Sequence, residues 1–339
     1  MNEKAVAGID IGGTKIAVAL ETLDGKKLAS RHLPTKVELG PYRIMEDVAR
    51  TLRRMLKKTP ESELVAIGIG CPAPLDIERG LVCSPSNLRD WIEFPLVKMI
   101  ENTFDVKTLL DNDANVAALG EFYYGAGRGF ENILYVTIST GIGGAIINRG
   151  KIIQGIGGAA GEIGHTIVMP TGGEICGCGG RGCLETVGSG KSIARRARER
   201  LASGGETSLM RDLTGNDLNA ITAEIVVEAV KRGDRIAQEI WDEACRFIAV
   251  GIGNAINLIA PEAVIIGGGV SSAGELLLEP LRKLLKENVR LIPTEKISIK
   301  RAALGKDSGV CGALVLARDW YLNQNEKPKR QSKRQIIAA

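Results

Sequence analysis

The sequence predicts an α/β protein of two lobes, each built around its own β-sheet, and three observations support this prediction. The chain has 339 residues, more than one hydrophobic core usually holds. Short apolar runs that fit strands alternate with longer segments whose apolar residues recur at helical spacing. A strand–glycine turn–strand unit occurs twice, at residues 6–19 and 135–148, which indicates a duplicated sheet. We expect the two lobes to face each other across a cleft.

The strands are predicted from short apolar runs that end at turn residues. The first run ends at Asp10 before a Gly12-Gly13 turn, and Asp24-Gly25 closes the second. Residues 71–95 are rich in proline and turn residues and have no period, so we expect a long functional loop there. Strands are predicted at residues 5–10, 16–20, 28–31, 64–70, 106–110, 133–139, 144–148, 151–153, 263–266 and 297–300.

The helices are predicted from apolar stripes and from residues that start or stop a helix. Residues 41–58 begin with a proline, and Ile44, Val48 and Leu52 share one face. Pro261 stops the longest helical segment. Helices are predicted at residues 41–58, 112–124, 191–203, 222–232, 234–259, 274–288 and 308–322.

The composition is that of a soluble globular protein, with 44% hydrophobic and 25% charged residues, which excludes disordered and fibrous classes. The net charge of +4 comes from the end of the chain: five basic and no acidic residues lie in 327–339, which leaves 39 basic and 40 acidic residues in 1–326. We therefore expect a disordered basic tail and no nucleic-acid partner. The sequence has no run of 18 apolar residues and no signal-peptide core, so we expect a cytoplasmic protein with no membrane contact.

Three glycine-rich turns follow predicted strands, and their backbone N–H groups could hold phosphates. Neither the Walker A spacing nor GxGxxG after the strand is present, and ordinary hairpin turns are the alternative reading of each turn alone. Three such turns in one chain favour a nucleotide, with Asp10 placed to hold Mg²⁺. The turns are Asp10 to Lys15 (with Gly12, Gly13 and Thr14), Thr140 to Gly143 (with Gly141), and Gly267 to Gly269 (with Gly268).

A run of acidic and amide residues, 111–115, stands where a predicted strand becomes a helix. One of these residues is expected to cap the helix, but a cap does not need four of them. A carboxylate here could accept a proton from a substrate hydroxyl, with the asparagines orienting that substrate.

Residues 161–185 hold a dense group of potential metal ligands. One of the two histidines in the chain, His165, and three of the seven cysteines, Cys176, Cys178 and Cys183, lie within 19 residues. One imidazole and three thiols complete the tetrahedral set of a closed structural zinc site. Glu162 and Glu185 flank this set as candidate substrate-binding carboxylates. Unrelated reduced thiols are the alternative, and the remaining cysteines are expected to be packing residues.

Together these motifs resemble the ROK family of sugar kinases, whose fold is the actin-like, hexokinase-like ATPase fold. The resemblance covers residues 5–322 and is most specific at Gly161–His165 and Cys176–Glu185. Within the family the motifs are most similar to those of bacterial ATP-dependent glucokinases. The N-terminal lobe is expected to span 1–112 plus 308–326, and the C-terminal lobe 113–307. A homo-oligomer, dimer or tetramer, is also expected from the resemblance.

The resemblance implies roles for individual residues. Asp113 matches the general base that takes the proton of the sugar's primary hydroxyl. ATP and Mg²⁺ would occupy the phosphate turns, with Gly268 and Gly269 on the adenosine side. His165 would bind zinc through one ring nitrogen and the sugar through the other. The positions that match sugar contacts are Asn87, Asn112, Glu162, His165 and Glu185.

The sequence leaves the acceptor and donor open. Many family members have Pro-Gly after the 64–70 strand, whereas this chain has Cys71-Pro72-Ala73-Pro74, a change near the sugar. Alternatives to glucose are N-acetylmannosamine, fructose, mannose and N-acetylglucosamine, and polyphosphate or ADP is an alternative donor. A non-catalytic sugar sensor is a weaker alternative. The family's repressors carry a helix-turn-helix ahead of the sugar domain, for which a phosphate turn beginning at residue 10 leaves no room.

Overall fold

The computed structural model describes residues 3–85, 88, 90–204 and 207–325 and gives an α/β fold. The strands are β1 (Glu3–Ile11), β2 (Lys15–Thr22), β3 (Lys27–Pro34), β4 (Ser62–Cys71), β5 (Leu75–Asp76), β6 (Leu81–Val82), β7 (Lys107–Asn112), β8 (Ile133–Ile138), β9 (Ile142–Asn148), β10 (Lys151–Ile152), β11 (Ala263–Gly267) and β12 (Ser298–Arg301). The helices are α1 (Gly40–Leu56), α2 (Leu96–Phe104), α3 (Asp113–Tyr124), α4 (Glu185–Gly188), α5 (Gly190–Ala202), α6 (Leu209–Leu213), α7 (Ala223–Lys231), α8 (Arg235–Ile259), α9 (Glu275–Asn288) and α10 (Ser308–Asn325).

The described residues divide into two compact units: those up to Asp111 together with those from Ala313 onward, and Asn112–Gly312. The first unit has a five-stranded sheet in the order β3-β2-β1-β4-β7. β1 pairs antiparallel with β2 and parallel with β4. The apolar stripe of α1 is buried in the core of this unit, where Met45 and Leu52 are fully buried. Each such side chain contributes roughly 1.5–3 kcal/mol to the free energy of unfolding.

The last helix contributes to the first unit from Ala313 onward. α10 lies directly on β4, because a Cβ placed on Gly68 would fall 2.0 Å from the carbonyl oxygen of Ala313. Only a glycine allows a strand and a helix to approach this closely. Arg318 of the same helix lies 3.9 Å from Glu21 at the sheet, and both side chains are largely buried.

The second unit repeats the strand order of the first. Its sheet has the order β10-β9-β8-β11-β12, with β8 antiparallel to β9 and parallel to β11. In both sheets the first strand forms a hairpin with the second and pairs parallel with the fourth, so the predicted duplicated sheet is confirmed. Residues of α5, α7, α8 and α9 complete the core of this unit.

The ten predicted strands and seven predicted helices are present, within one to three residues at most ends. The sequence analysis missed α2, the short helices α4 and α6, and the β5–β6 hairpin inside the predicted loop. α2 is only nine residues long and buries Leu96 and Ile100, which is too few apolar positions to define a period. None of the helices that the structure describes is long and apolar enough to cross a bilayer. The basic tail, residues 327–339, lies outside the described residues.

Candidate active site

The first predicted phosphate turn joins β1 to β2 in the first unit. The N–H of Gly12 donates to the carbonyl of Lys15 at 3.0 Å. Thr35 fixes the turn from the side: its hydroxyl donates to the Gly12 carbonyl at 2.6 Å, and its N–H donates to the Thr14 carbonyl at 2.9 Å. Gly12 and Gly13 are half-buried, Thr14 and Lys15 are exposed, and Asp10 is half-buried at the end of β1. A rigid glycine turn beside a carboxylate fits a site for phosphate and a hard cation.

The second and third turns lie side by side in the second unit. β8 and β11 are parallel neighbours, so the turns that follow them meet at the same edge of the sheet. The N–H of Ser139 donates to the carbonyl of Gly141 at 2.8 Å, which tightens the turn that contains Thr140. Gly268 has a φ of +81°, and a Cβ there would fall 2.3 Å from the carbonyl oxygen of Ile138. The missing side chain therefore lets the two turns pack backbone against backbone.

Two features next to these turns were not predicted from the sequence. The N–H of Gly190, the first residue of α5, donates to the Ser139 carbonyl at 2.8 Å. A cavity of about 350 Å³ opens beside Gly269 and is lined on the other side by residues of α7. Ser189, which caps α5 by accepting from the N–H of Ser192 at 3.2 Å, stands before an apolar-periodic segment and could have been found as a cap.

Asp113 is the first residue of α3, which starts directly after β7. The N–H of Ala114 donates to Oδ1 of Asn112 at 2.8 Å and to Oδ1 of Asp113 at 2.9 Å, so Asn112 is the cap expected within this run. Burial raises the pKa of the Asp113 carboxyl, and the charge of Glu162 raises it further, whereas the Ala114 N–H lowers it. A raised pKa suits a carboxylate that must take a proton.

The Gly161–His165 segment lies on β9 with its two glycines directly against the backbone of the strand. A Cβ on Gly164 would fall 2.0 Å from the carbonyl oxygen of Ile142, and one on Gly161 would fall 2.6 Å from that of Gly144. The two glycines thereby place Glu162 close enough to Asp113 to raise the pKa of its carboxyl. They also bring His165 near Glu162, with Nε2 of the imidazole 3.9 Å from Oε2 of the carboxylate. The same strand brings Gly143 to α3, since a Cβ on Gly143 would lie 3.5 Å from that of Ala114.

The four predicted metal ligands come together in the second unit. The potential ligand atoms of His165, Cys176, Cys178 and Cys183 all lie within 4.8 Å of one another. Nδ1 of His165 lies 3.5 Å from Sγ of Cys176, and the Sγ atoms of Cys178 and Cys183 are 3.7 Å apart. A tetrahedral zinc ion would separate two thiolates by roughly 3.8 Å and a thiolate from an imidazole nitrogen by roughly 3.6 Å. The donor set and its spacing therefore fit zinc.

The pKa values of the three thiols in this cluster are shifted in different directions. Burial raises the pKa of Cys176 and raises that of Cys183 to about 12, while the N–H of Gly180 lowers that of Cys178. Thiolates are the form that binds zinc, and the charge of the metal is what stabilises buried thiolates.

Glu185 lies between the cysteine cluster and the second phosphate turn. Its Oε2 accepts from the N–H of Ile142 at 2.9 Å, and its Oε1 lies 3.9 Å from Sγ of Cys176. Gly141 leaves space for this carboxylate, because a Cβ there would fall 2.4 Å from Oε2. The sequence analysis selected Glu185 as a sugar-binding residue and did not foresee the hydrogen bond to the backbone of the turn.

The predicted site residues of the second unit thus form one group. β9 is its centre, with the start of α3, Gly161–His165, Glu185 and the cysteine cluster arranged around the first half of this strand. Asn87, the least secure sugar contact, lies outside the described residues.

Comparison with known proteins identifies the family of the chain. The sequence model of the ROK family matches residues 6–320. A glucokinase of Halalkalibacterium halodurans is 36% identical over 328 residues, which is 96% of this chain and 97% of that protein. An N-acetylmannosamine kinase of Escherichia fergusonii is 33% identical over 91% of this chain and 97% of its own length.

A ROK family glucokinase is also among the solved structures that are similar to this chain. The crystal structure of a ROK family glucokinase from Streptomyces griseus, in complex with glucose and AMPPNP, is 33% identical and matches with a TM-score of 0.76. The match covers 93% of this chain and 99% of that one.

Proposed function

The chain belongs to the ROK family, and we propose that it is a sugar kinase that transfers the γ-phosphate of ATP to the 6-hydroxyl of glucose. Asp113 is the general base of this proposal. Mg²⁺ accompanies the nucleotide, and zinc braces the loop that carries Glu162 and His165. The relatives named glucokinase, and the glucokinase solved with glucose and AMPPNP, support this acceptor and donor.

The observation that carries the proposal is the setting of Asp113. Its carboxyl is at the start of a helix, beside Glu162, and its pKa is raised. Gly143 of the second phosphate turn packs against Ala114, the next residue of the helix. Transfer of a phosphoryl group from a nucleotide to a hydroxyl requires a base close to the phosphate-binding turn. Phosphoryl-transfer enzymes act mainly by positioning the reactants and by stabilising charge.

In this mechanism Asp113 accepts the proton of the sugar hydroxyl as that oxygen attacks the γ-phosphate. The helix N-terminus and the Ala114 N–H keep the carboxylate in place and ionised, while burial makes it a stronger base. Exclusion of water matters equally, since water competes with the sugar for the phosphate.

The sugar is oriented by Asn112, Glu162, His165 and Glu185. Oδ1 of Asn112 and Oε2 of Glu185 accept backbone N–H groups, which fixes the orientation of both side chains. His165 has Nδ1 toward the cysteines and Nε2 toward Glu162. Zinc on Nδ1 would leave the proton on Nε2, where it can donate to a hydroxyl.

The nucleotide is assigned to the glycine turns. ATP phosphates would use the backbone N–H groups of the turns at Gly12–Lys15 and Thr140–Gly143, and Asp10 supplies a carboxylate for Mg²⁺. Mg²⁺ neutralises charge on the phosphates when it is bound. The adenosine is assigned to Gly268 and Gly269.

Other hexoses are the main alternative. The similarity to an N-acetylmannosamine kinase is nearly as high as that to glucokinases, so N-acetylmannosamine is the first competitor. A sensor without catalysis is less consistent with an intact Asp113 and three glycine turns.

We expect purified protein to phosphorylate glucose faster than the other hexoses at equal concentration, with ATP and Mg²⁺. The measurement is ADP release with glucose, mannose, fructose, N-acetylglucosamine and N-acetylmannosamine, with polyphosphate and ADP as alternative donors. A tenfold preference in kcat/KM corresponds to about 1.4 kcal/mol of difference in transition-state binding between two sugars.

The results of these ADP-release measurements distinguish the proposed acceptor, donor and activity from their alternatives. A preference for N-acetylmannosamine would keep the base and the zinc site and contradict the assignment to glucose. Transfer from polyphosphate alone would contradict ATP as donor. No transfer to any sugar, with sugar binding intact by calorimetry, would contradict the kinase and favour the sensor.

A further inference from the structure

Glu121 is a buried carboxylate that the mechanism above does not use. It lies on α3, and its side chain is fully buried in the second unit. Four groups donate to it: the N–H groups of Ala126 (2.9 Å), Ala303 (2.9 Å) and Leu304 (2.8 Å), and the hydroxyl of Ser308 (2.9 Å). Three of the four donors lie more than 180 residues further along the chain.

A carboxylate buried in this position is energetically tolerated only if its oxygens accept hydrogen bonds. A buried charge without partners costs several kcal/mol, and among the described residues no cation pairs with Glu121. Gly125 leaves room for the carboxylate, since a Cβ there would fall 2.0 Å from Oε2. Both oxygens of the side chain therefore connect the end of α3 to the segment before α10 and to the first residue of α10.

Where α3 meets α10, no large side chains of the described residues interlock to fix the position of α3 along its axis. Where α3 crosses α10 the contact is backbone to backbone: a Cβ on Gly312 would fall 1.5 Å from the Val116 carbonyl oxygen, and one on Gly120 would fall 2.2 Å from that of Ser308. The glycines set how closely the two helix backbones approach. Directed hydrogen bonds to Glu121 add a constraint on orientation and on position along the axis.

We propose that Glu121 is a positioning residue for Asp113. The two residues are eight positions apart on one helix, which is roughly 12 Å along the axis. Because α3 is a rigid element, the hydrogen bonds at Glu121 set the place of the carboxylate at its start relative to the turn at Gly143. This inference rests on the proposed function, because it assumes that Asp113 is the base.

The test compares two substitutions of similar chemistry. Glu121→Gln keeps the shape of the side chain but places an amide NH₂ among donors. Glu262→Gln is the control for the loss of such hydrogen bonds: Glu262 also accepts from backbone N–H groups, those of Glu131 (2.7 Å) and Asn132 (2.8 Å), but it is exposed and stands just before β11. Both variants should lose thermal stability.

Only Glu121→Gln should change catalysis. We expect kcat to fall by about 10- to 100-fold with KM for glucose within about twofold, as expected of a base displaced by less than about 1 Å. The double variant with Asp113→Asn should be no slower than Asp113→Asn alone, because both act on one step. Ser308→Ala removes one of the four donors and serves as a milder substitution, with a smaller fall in kcat, should Glu121→Gln not fold.

Three results would overturn the inference: an unchanged kcat in folded Glu121→Gln, an equal fall in Glu262→Gln, or additive losses in the double variant. A separate result would contradict the proposed function: full activity of the Asp113→Asn variant, whatever the activity of Glu121→Gln.

Discussion

Replacing Asp113 by asparagine should lower kcat by about 10²- to 10⁴-fold and leave the KM for the sugar within about threefold. Asparagine has the same shape and can still accept the Ala114 N–H through its oxygen, so the start of α3 should be retained. What it cannot do is take a proton from the sugar hydroxyl. Steady-state ADP release, together with calorimetric sugar binding, checks both parts of this expectation.

Asp234→Asn is the matched control for that substitution. Asp234 is also an aspartate at a helix start; it is buried, whereas Asp113 is half-buried, and it accepts from the N–H groups of Leu209 (2.6 Å) and Ala237 (2.7 Å). This control should lose stability, because a charged cap becomes neutral, and keep its kcat. Unchanged turnover in Asp113→Asn would remove Asp113 from the role of base.

The pH profile gives an independent view of the same residue. A general base works only when it is deprotonated, so kcat should fall as the pH drops through the pKa of Asp113. Burial and Glu162 raise that pKa, which places the acid limb at a higher pH than for an ordinary aspartate. The residual activity of Asp113→Asn should lack this limb. An identical limb in both proteins would assign it to another group.

The duplicated sheet could be predicted from sequence because its signals are local. The units at 6–19 and 135–148 are each an apolar strand, a glycine turn and a second strand, and they form the β1–β2 and β8–β9 hairpins. The cysteine cluster could be predicted for the same reason, since its four residues lie within 19 positions of the chain. Functional residues that lie close together along the chain form a motif that can be identified from a single sequence.

Features built from distant segments left no such pattern. Glu121 appears in sequence as one more acidic residue on a predicted helix, yet three of its four partners are the distant residues Ala303, Leu304 and Ser308. Glu185 could be selected as a candidate ligand, but its hydrogen bond to the N–H of Ile142 depends on how two loops pack. Short elements such as α2 escape prediction because a few buried positions do not establish a period.

Replacing Cys183 by serine should reduce bound zinc from about one ion per chain to near zero. Cys183 is 1% exposed and lies 3.7 Å from Cys178, at the centre of the four-residue cluster. A hydroxyl is not ionised near neutral pH and is a poor zinc ligand, while the backbone contacts of the residue remain. Metal analysis of protein purified without chelators, with thiols kept reduced, checks the stoichiometry. Wild-type protein that carries almost no zinc would contradict the site.

Cys245→Ser is the matched control for zinc. Cys245 is also 1% exposed, and burial raises its pKa to about 12, but it lies in α8 away from the cluster. This control should lose stability from burying a hydroxyl and keep its zinc. Equal zinc in the Cys183 and Cys245 variants would contradict the assignment of Cys183 as a ligand.

Loss of zinc should affect mainly the KM for the sugar. Nδ1 of His165 faces Cys176, so zinc would fix the ring whose Nε2 is offered to a hydroxyl, and loss of such an orienting partner typically costs about 10- to 100-fold in activity. We expect a higher KM for the sugar in Cys183→Ser. Glu185, however, links the cluster to the second phosphate turn through Ile142. A rise in the sugar KM alone would therefore mean that the metal acts through His165, whereas an equal rise in the KM for ATP would mean that Glu185 transmits the loss to the nucleotide.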